Sequence, residues 1–196
     1  MTVAMGVAAK RILFKEITAA DIRKLRAESN DSKTGGGARD LRLPFSEFDG
    51  VIRQLLPRTV STERRRNGRR VLVDIRVGSA KYYADASSSG TSRDIDLTWE
   101  PPTTVRPREG RIPRVHQSLN LPESGVGRVF FLLVQDESGV LGAHYAYEED
   151  LRAGRWQADV AAPILRGMDD PSRPKRLSVQ GYIDYTTNTQ YCHGVD

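Results

Sequence analysis

Cysteine is almost missing from this chain: Cys192 stands alone among 196 residues. An internal disulfide is thereby excluded, as is any Cys-x-x-Cys metal or redox pair, and the composition fits a reducing cytosol. Histidine is also scarce. His116, His144 and His193 are far apart, and no His-Glu-x-x-His run occurs, so the usual metal-ligand spacings are lacking. Cys192 and His193 adjoin, but neighbours along a strand point to opposite faces, which makes them a poor nucleophile–base dyad. Long apolar runs are lacking too. Hydrophobic residues make up 38% of the chain and are scattered, and none of their runs approaches the roughly 20 residues of a spanning helix. The opening MTVAMGVAAKRILF places its basic pair after the apolar patch, the wrong order for a secretory signal. The expectation is a soluble, cytoplasmic protein with no membrane partner. Repeats with a period of roughly 20–50 residues and low-complexity runs are absent as well.

The length suits one domain with a small extension, large enough to bury roughly 70% of the unfolded chain's surface without staples. Lys and Arg number 30 against 25 Asp and Glu, a net charge of +5, with pI ≈ 9.5. Arginine outnumbers lysine. A basic balance suits a polyanionic partner, because phosphate neutralisation releases counterions, and the arginine fork reads phosphates and base edges. A GC-rich genome also enriches arginine, so charge alone leaves both explanations open.

Along the chain, FKEITAADIRKLRAES predicts a first helix with Thr18 as N-cap and Asp21 three residues later, close to a capping box. SNDSKTGGG is turn chemistry. Leu41 and Leu43 alternate with Asp40 and Arg42 as in a strand that Pro44 ends. FSEFDGVIRQLLP predicts a second helix, with Ser46 as a cap, Phe48, Val51, Ile52 and Leu55 on one face, and a stop at Pro57. The rest reads as mostly β. Asn67-Gly68 is a strong hairpin signal between TERRR and RRVLVDIRVG. SAKYYADA and RDIDLTW continue the strand pattern, RVFFLLVQD predicts a buried strand, and GVLGAHYAYE pairs with it through DESG. EEDLRAG suggests a helical turn, and RLSVQGYIDYTTN a late strand. Two helices and about seven or eight strands are expected, wound as a barrel or half-open barrel.

Three stretches invite a functional reading. SNDSKTGGGARDLRLP holds Gly35 to Gly37, flanked by Lys33, Arg39 and Arg42. It is neither a P-loop, lacking Gly-Lys-Ser/Thr, nor a dinucleotide fingerprint, lacking a preceding strand. It reads either as a flexible connection or as an arm that lets backbone and arginines approach a phosphate chain. Arg64, Arg65, Arg66, Arg69 and Arg70 crowd a hairpin tip, either a solvated face or phosphate contacts. SSSGTSRDIDLTW gathers Thr91, Ser92, Arg93, Asp94 and Asp96. Arginine suits guanine and carboxylates suit the cytosine amino group, although a polar hairpin loop has the same composition. Asp94 and Asp96 lack a downstream Glu-x-Lys, so a magnesium nuclease is a weak alternative.

The order of these stretches (SNDSKTGGGARDLRLP, a short helix ending in LLP, AKYYADASSSGTSRDIDLTW, then GRVFFLLVQ) resembles the N-terminal effector-DNA-binding domain of EcoRII-type restriction endonucleases. That family belongs to the plant B-three-type DNA-binding pseudobarrels. The similarity runs over roughly residues 10 to 155. It is carried by Asn30-Asp31, Thr34-Gly35-Gly36, Leu41 through Pro44, Tyr82-Tyr83, Gly90 to Arg93 and Thr98-Trp99. It implies a mainly β fold with short helices (α+β), a seven-stranded pseudobarrel over residues 1–155, with residues 156–196 as an extension completing or packing on it. It further implies two arms that grip the major groove of double-stranded DNA, an N-arm from Lys33 to Arg42 and a C-arm from Gly90 to Asp96. The C-arm departs from the family in carrying Asp94 and Asp96 beside Arg93, which points to a different recognised sequence or to modified DNA. The loop PPTTVRPREGRIPRVHQ is longer than the family's.

Arg39, Arg42, Arg93, Asp94 and Asp96 are expected to face bases. Lys33, Arg64, Arg65, Arg66, Arg69 and Arg70 are expected to position phosphates. No catalytic residue, metal ligand or cofactor is expected, and cleavage would need a nuclease domain or subunit as partner. A standalone magnesium-dependent nuclease using Asp94 and Asp96, and a protein-interaction domain of a defence complex, are the alternatives.

Overall fold

The segment AKRILFKEI is a strand, β1 (Ala9–Ile17). In the computed structural model, which describes residues 8–19, 21–22, 40–66, 69–76, 79–81, 94–98, 127–174 and 177–193, it pairs on both sides. Its partners are β7 (Val129–Asp136) and β9 (Gln180–Asp184), both antiparallel. With β8 (Leu141–Tyr147) and β10 (Thr189–Cys192) they make a five-stranded sheet ordered β10-β9-β1-β7-β8. Helices α2 (Glu148–Arg152) and α3 (Ala158–Asp169) belong to the same compact unit, which comprises Met1–Arg26 and Val115–Asp196.

This strand replaces the start of the expected first helix. The expected capping group is present: the Asp21 N–H donates to Thr18 Oγ1 at 3.2 Å, and Asp21 Oδ2 accepts from the Thr18 N–H at 3.0 Å. A capped residue lies outside its helix, so Phe14 to Ile17 cannot belong to the turn that Thr18 opens. They continue β1 instead.

The core explains the run of apolar letters. Ile12 and Phe14 join Phe130, Leu132, Ile183 and the inner faces of α2 and α3, including Leu151, Val160 and Ile164, in one cluster. Leu13, Phe131 and Leu133, on the alternate positions, are also fully buried. A sheet buried on both faces loses the apolar–polar alternation of a half-exposed one. Gly181 is required where β9 crosses: a Cβ there would overlap the Tyr191 carbonyl oxygen and sit 2.5 Å from Phe14 Cζ.

The second unit, Ala27–Arg114, holds the other sheet. Its elements are β2 (Asp40–Pro44), α1 (Phe45–Leu55), β3 (Thr59–Arg66), β4 (Arg69–Arg76), β5 (Ser79–Lys81) and β6 (Asp94–Thr98). The sheet order is β2-β6-β5-β4-β3, with every pairing antiparallel. Helix α1 buries Phe48, Val51, Ile52 and Leu55, as the spacing predicts. It starts earlier than expected, with Pro44 rather than Ser46 at the N-cap, and the Ser46 hydroxyl donates to Glu47 instead. Proline's fixed φ suits this entry and its missing N–H costs nothing there.

The chain is therefore mainly β with a few short helices, of the α+β class. Residues 156–196, expected as an extension, supply α3, β9 and β10. Among the described residues no helix is long and apolar enough to cross a membrane.

Candidate nucleic-acid interface

Strands β2 and β6 pair over their whole described length. Leu41 lies opposite Leu97 and Leu43 opposite Ile95, and all four are buried. Their apolar side chains fix the register, because a one-residue slip would turn each of them outward. That register sets Arg42 opposite Asp96, and Pro44 opposite Asp94. Arg42 is exposed. Three of the five residues expected to face bases thus sit on two adjacent strands. The other two, Arg39 and Arg93, lie outside the described residues, as do Lys33, Thr91 and Ser92.

The expected hairpin is present. β3 and β4 pair antiparallel from Thr59↔Arg76 to Arg66↔Arg69; Asn67-Gly68, the expected turn, lies outside the described residues. Arg64 lies opposite Val71, Arg65 opposite Arg70, and Arg66 opposite Arg69. Arg70 Nη1 is 3.4 Å from Glu63 Oε2, with both side chains more than half exposed, so this ion pair adds little to stability.

The first unit holds a cleft of about 680 Å³ that the sequence reading missed. It is lined by Glu16, Thr18, Arg128, Asp169, Arg173 and Ser178, among others. Arg128 donates from Nε to Glu16 Oε1 at 2.8 Å and from Nη2 to Oε2 at 2.9 Å. The Val179 N–H donates to the same Oε2 at 2.9 Å. Burial pushes the Glu16 carboxyl up, but these hydrogen bonds and the Arg128 charge outweigh it and hold the group below its ordinary range. Asp169 accepts two bonds from Arg152, at 2.6 and 3.1 Å. Arg173, 8% exposed, donates to the carbonyls of Gly167 and Leu177. Each of these charges is matched by a neighbour in its own unit, so the cleft is built as a latch joining β1, β7, α3 and the segment before β9. The signal that could have flagged it is a charge inside an apolar strand: Glu16 near the end of β1, and Arg128 just before β7.

Nucleophilic chemistry finds little support at Cys192. Its thiol is buried beside Gly167 and Val179, and burial pushes its pKa up. His193 Nδ1 instead meets the Tyr191 hydroxyl at 3.3 Å. Among the described residues no group of three or more His, Cys, Asp or Glu side chains gathers to hold a metal ion. No protein-family model, curated protein or solved structure matches the chain.

Proposed function

We propose that this chain is a sequence-specific double-stranded DNA-binding module, the recognition part of a restriction or defence system, acting in the cytoplasm. In this reading the fold is a pseudobarrel of the B-three type. Two arms enter the major groove, and any cleavage belongs to another domain or subunit. The N-arm runs from Lys33 into β2, and the C-arm from Gly90 into β6.

The observation that carries the reading is the β2–β6 register. The two arms lead into neighbouring strands from opposite ends, because Asp40 faces Thr98 while Asp94 faces Pro44. Four residue steps separate those ends, about 14 Å at strand rise, close to the ~12 Å width of the major groove. Arg42 and Asp96 stand at one level of the strand pair, and an arginine and an aspartate are the two residue types suited to guanine and cytosine edges.

The test is selection of bound duplexes from a random library at physiological salt. Enrichment of a short motif supports the reading. Binding that selects no motif and vanishes as salt rises would overturn specific readout.

A further inference from the structure

The hairpin β3–β4 is charged against itself. Its register sets Arg65 against Arg70 and Arg66 against Arg69, two successive like-charged pairs at the closed end. Directly opposed like charges destabilise an antiparallel pair. The two strands hold six arginines and two carboxylates, Glu63 and Asp74, so the hairpin cannot neutralise itself. Glu63 already engages Arg70, and Asp74 lies toward the open end, opposite Ser61. A hairpin needed only for stability would set opposite charges across the strands. Among the described residues, β4 meets β5 only at Arg76↔Ser79. The β3–β4 pair itself is an antiparallel two-stranded unit, and a two-stranded β-ribbon fits the major groove, with a phosphate rail on either side.

Resting on the DNA-binding role proposed above, we infer that the closed end of the β3–β4 ribbon is a DNA-backbone clamp, separate from the two arms, in which duplex phosphates supply the negative charge the hairpin lacks. Its arginines weaken the free protein and strengthen the complex. Stability and affinity are therefore coupled with opposite signs at these positions, which a merely solvated basic face does not require.

The experiment replaces one member of each facing pair, as Arg65→Thr and Arg66→Thr together, a change that keeps strand propensity. Thermal melting of the free protein and salt-dependent binding to a mixed-sequence duplex are both measured. The melting temperature is expected to rise by about 1–4 °C, and the slope of log affinity against log salt to shrink by about two. The charge-keeping pair Arg65→Lys and Arg66→Lys should leave the salt slope unchanged. A gain in melting temperature with an unchanged slope overturns the clamp while leaving the arms' role intact. A smaller slope with no gain in stability overturns the coupling. Wild-type protein that binds no duplex at all overturns the clamp and the DNA-binding role together.

Discussion

Arg128 holds Glu16 by two parallel hydrogen bonds, 2.8 and 2.9 Å long, across the β1–β7 pair. Both side chains are less than a third exposed. Removing the fork by Arg128→Met leaves a partly buried carboxylate without its counter-charge. The expected loss is about 1–3 kcal/mol of unfolding free energy, read from urea titration at neutral pH. The pH dependence has a definite sign. Glu16 is held below its ordinary value of 4.5 in the folded protein, so its contribution is complete above that value and is lost as pH falls through the lowered native one. Glu16→Gln should therefore be less stable at neutral pH and show a shallower acid limb. An acid limb as steep as that of the wild type would place the titrating carboxylate elsewhere.

Tyr145 offers the opposite kind of test. Its ring packs edge-on against Phe131 at 5.9 Å between centroids, and its hydroxyl is buried with no hydrogen-bond partner among the described residues. Deleting the oxygen keeps the ring and removes a buried, unsatisfied polar atom. Tyr145→Phe is expected to raise stability by about 1 kcal/mol. A marked drop in the urea midpoint would show that the hydroxyl is bonded after all.

Gly167 lies inside α3, where a Cβ would overlap Cys192 Sγ and come within 3.0 Å of Val179 Cγ1. Gly167→Ala is expected to destabilise by about 1–3 kcal/mol through overpacking, and Cys192→Ala should recover part of that loss. The same burial should make the Cys192 thiol slow toward thiol reagents in the native protein and fast in denaturant. Equal rates in both states would contradict the packing.

On a selected cognate duplex, Arg42→Ala and Arg93→Ala should each cost about 1–3 kcal/mol and relax one base position. Competition binding against duplexes mutated at single positions checks this. A loss of equal size on every sequence would assign these arginines to the phosphates.

How far the sequence could be read depended on whether one face of an element meets water. Helix α1 showed its four buried residues at helical spacing because its other face is polar. The β3–β4 and β7–β8 hairpins announced themselves through Asn67-Gly68 and DESG. β1 did not, because burial on both faces erased its alternation, and the genuine cap at Thr18 drew the residues before it into the wrong element. α3 was hidden by Pro163 and Gly167, a helix breaker and a weak helix former; both are buried, and Gly167 lies against Cys192 of β10. At the candidate interface, residue types suggested Arg42 and Asp96 separately. That they face each other is a property of strand register, which no local pattern carries. The Glu16–Arg128 latch is likewise a contact between distant segments.

The position of β1 also bears on how the chain folds during synthesis. It is the middle strand of its sheet, yet its two neighbours begin at Val129 and Gln180. Contacts this distant in sequence are slow to form. On the ribosome, the strands and helix between Asp40 and Thr98 are all made before either neighbour of β1 emerges. Throughout that interval the segment RILF has both strand edges unpaired, the condition under which strands join the wrong chain. β1, made before the other described strands, is thus among the last of them to be secured, and misassembly during expression should begin there.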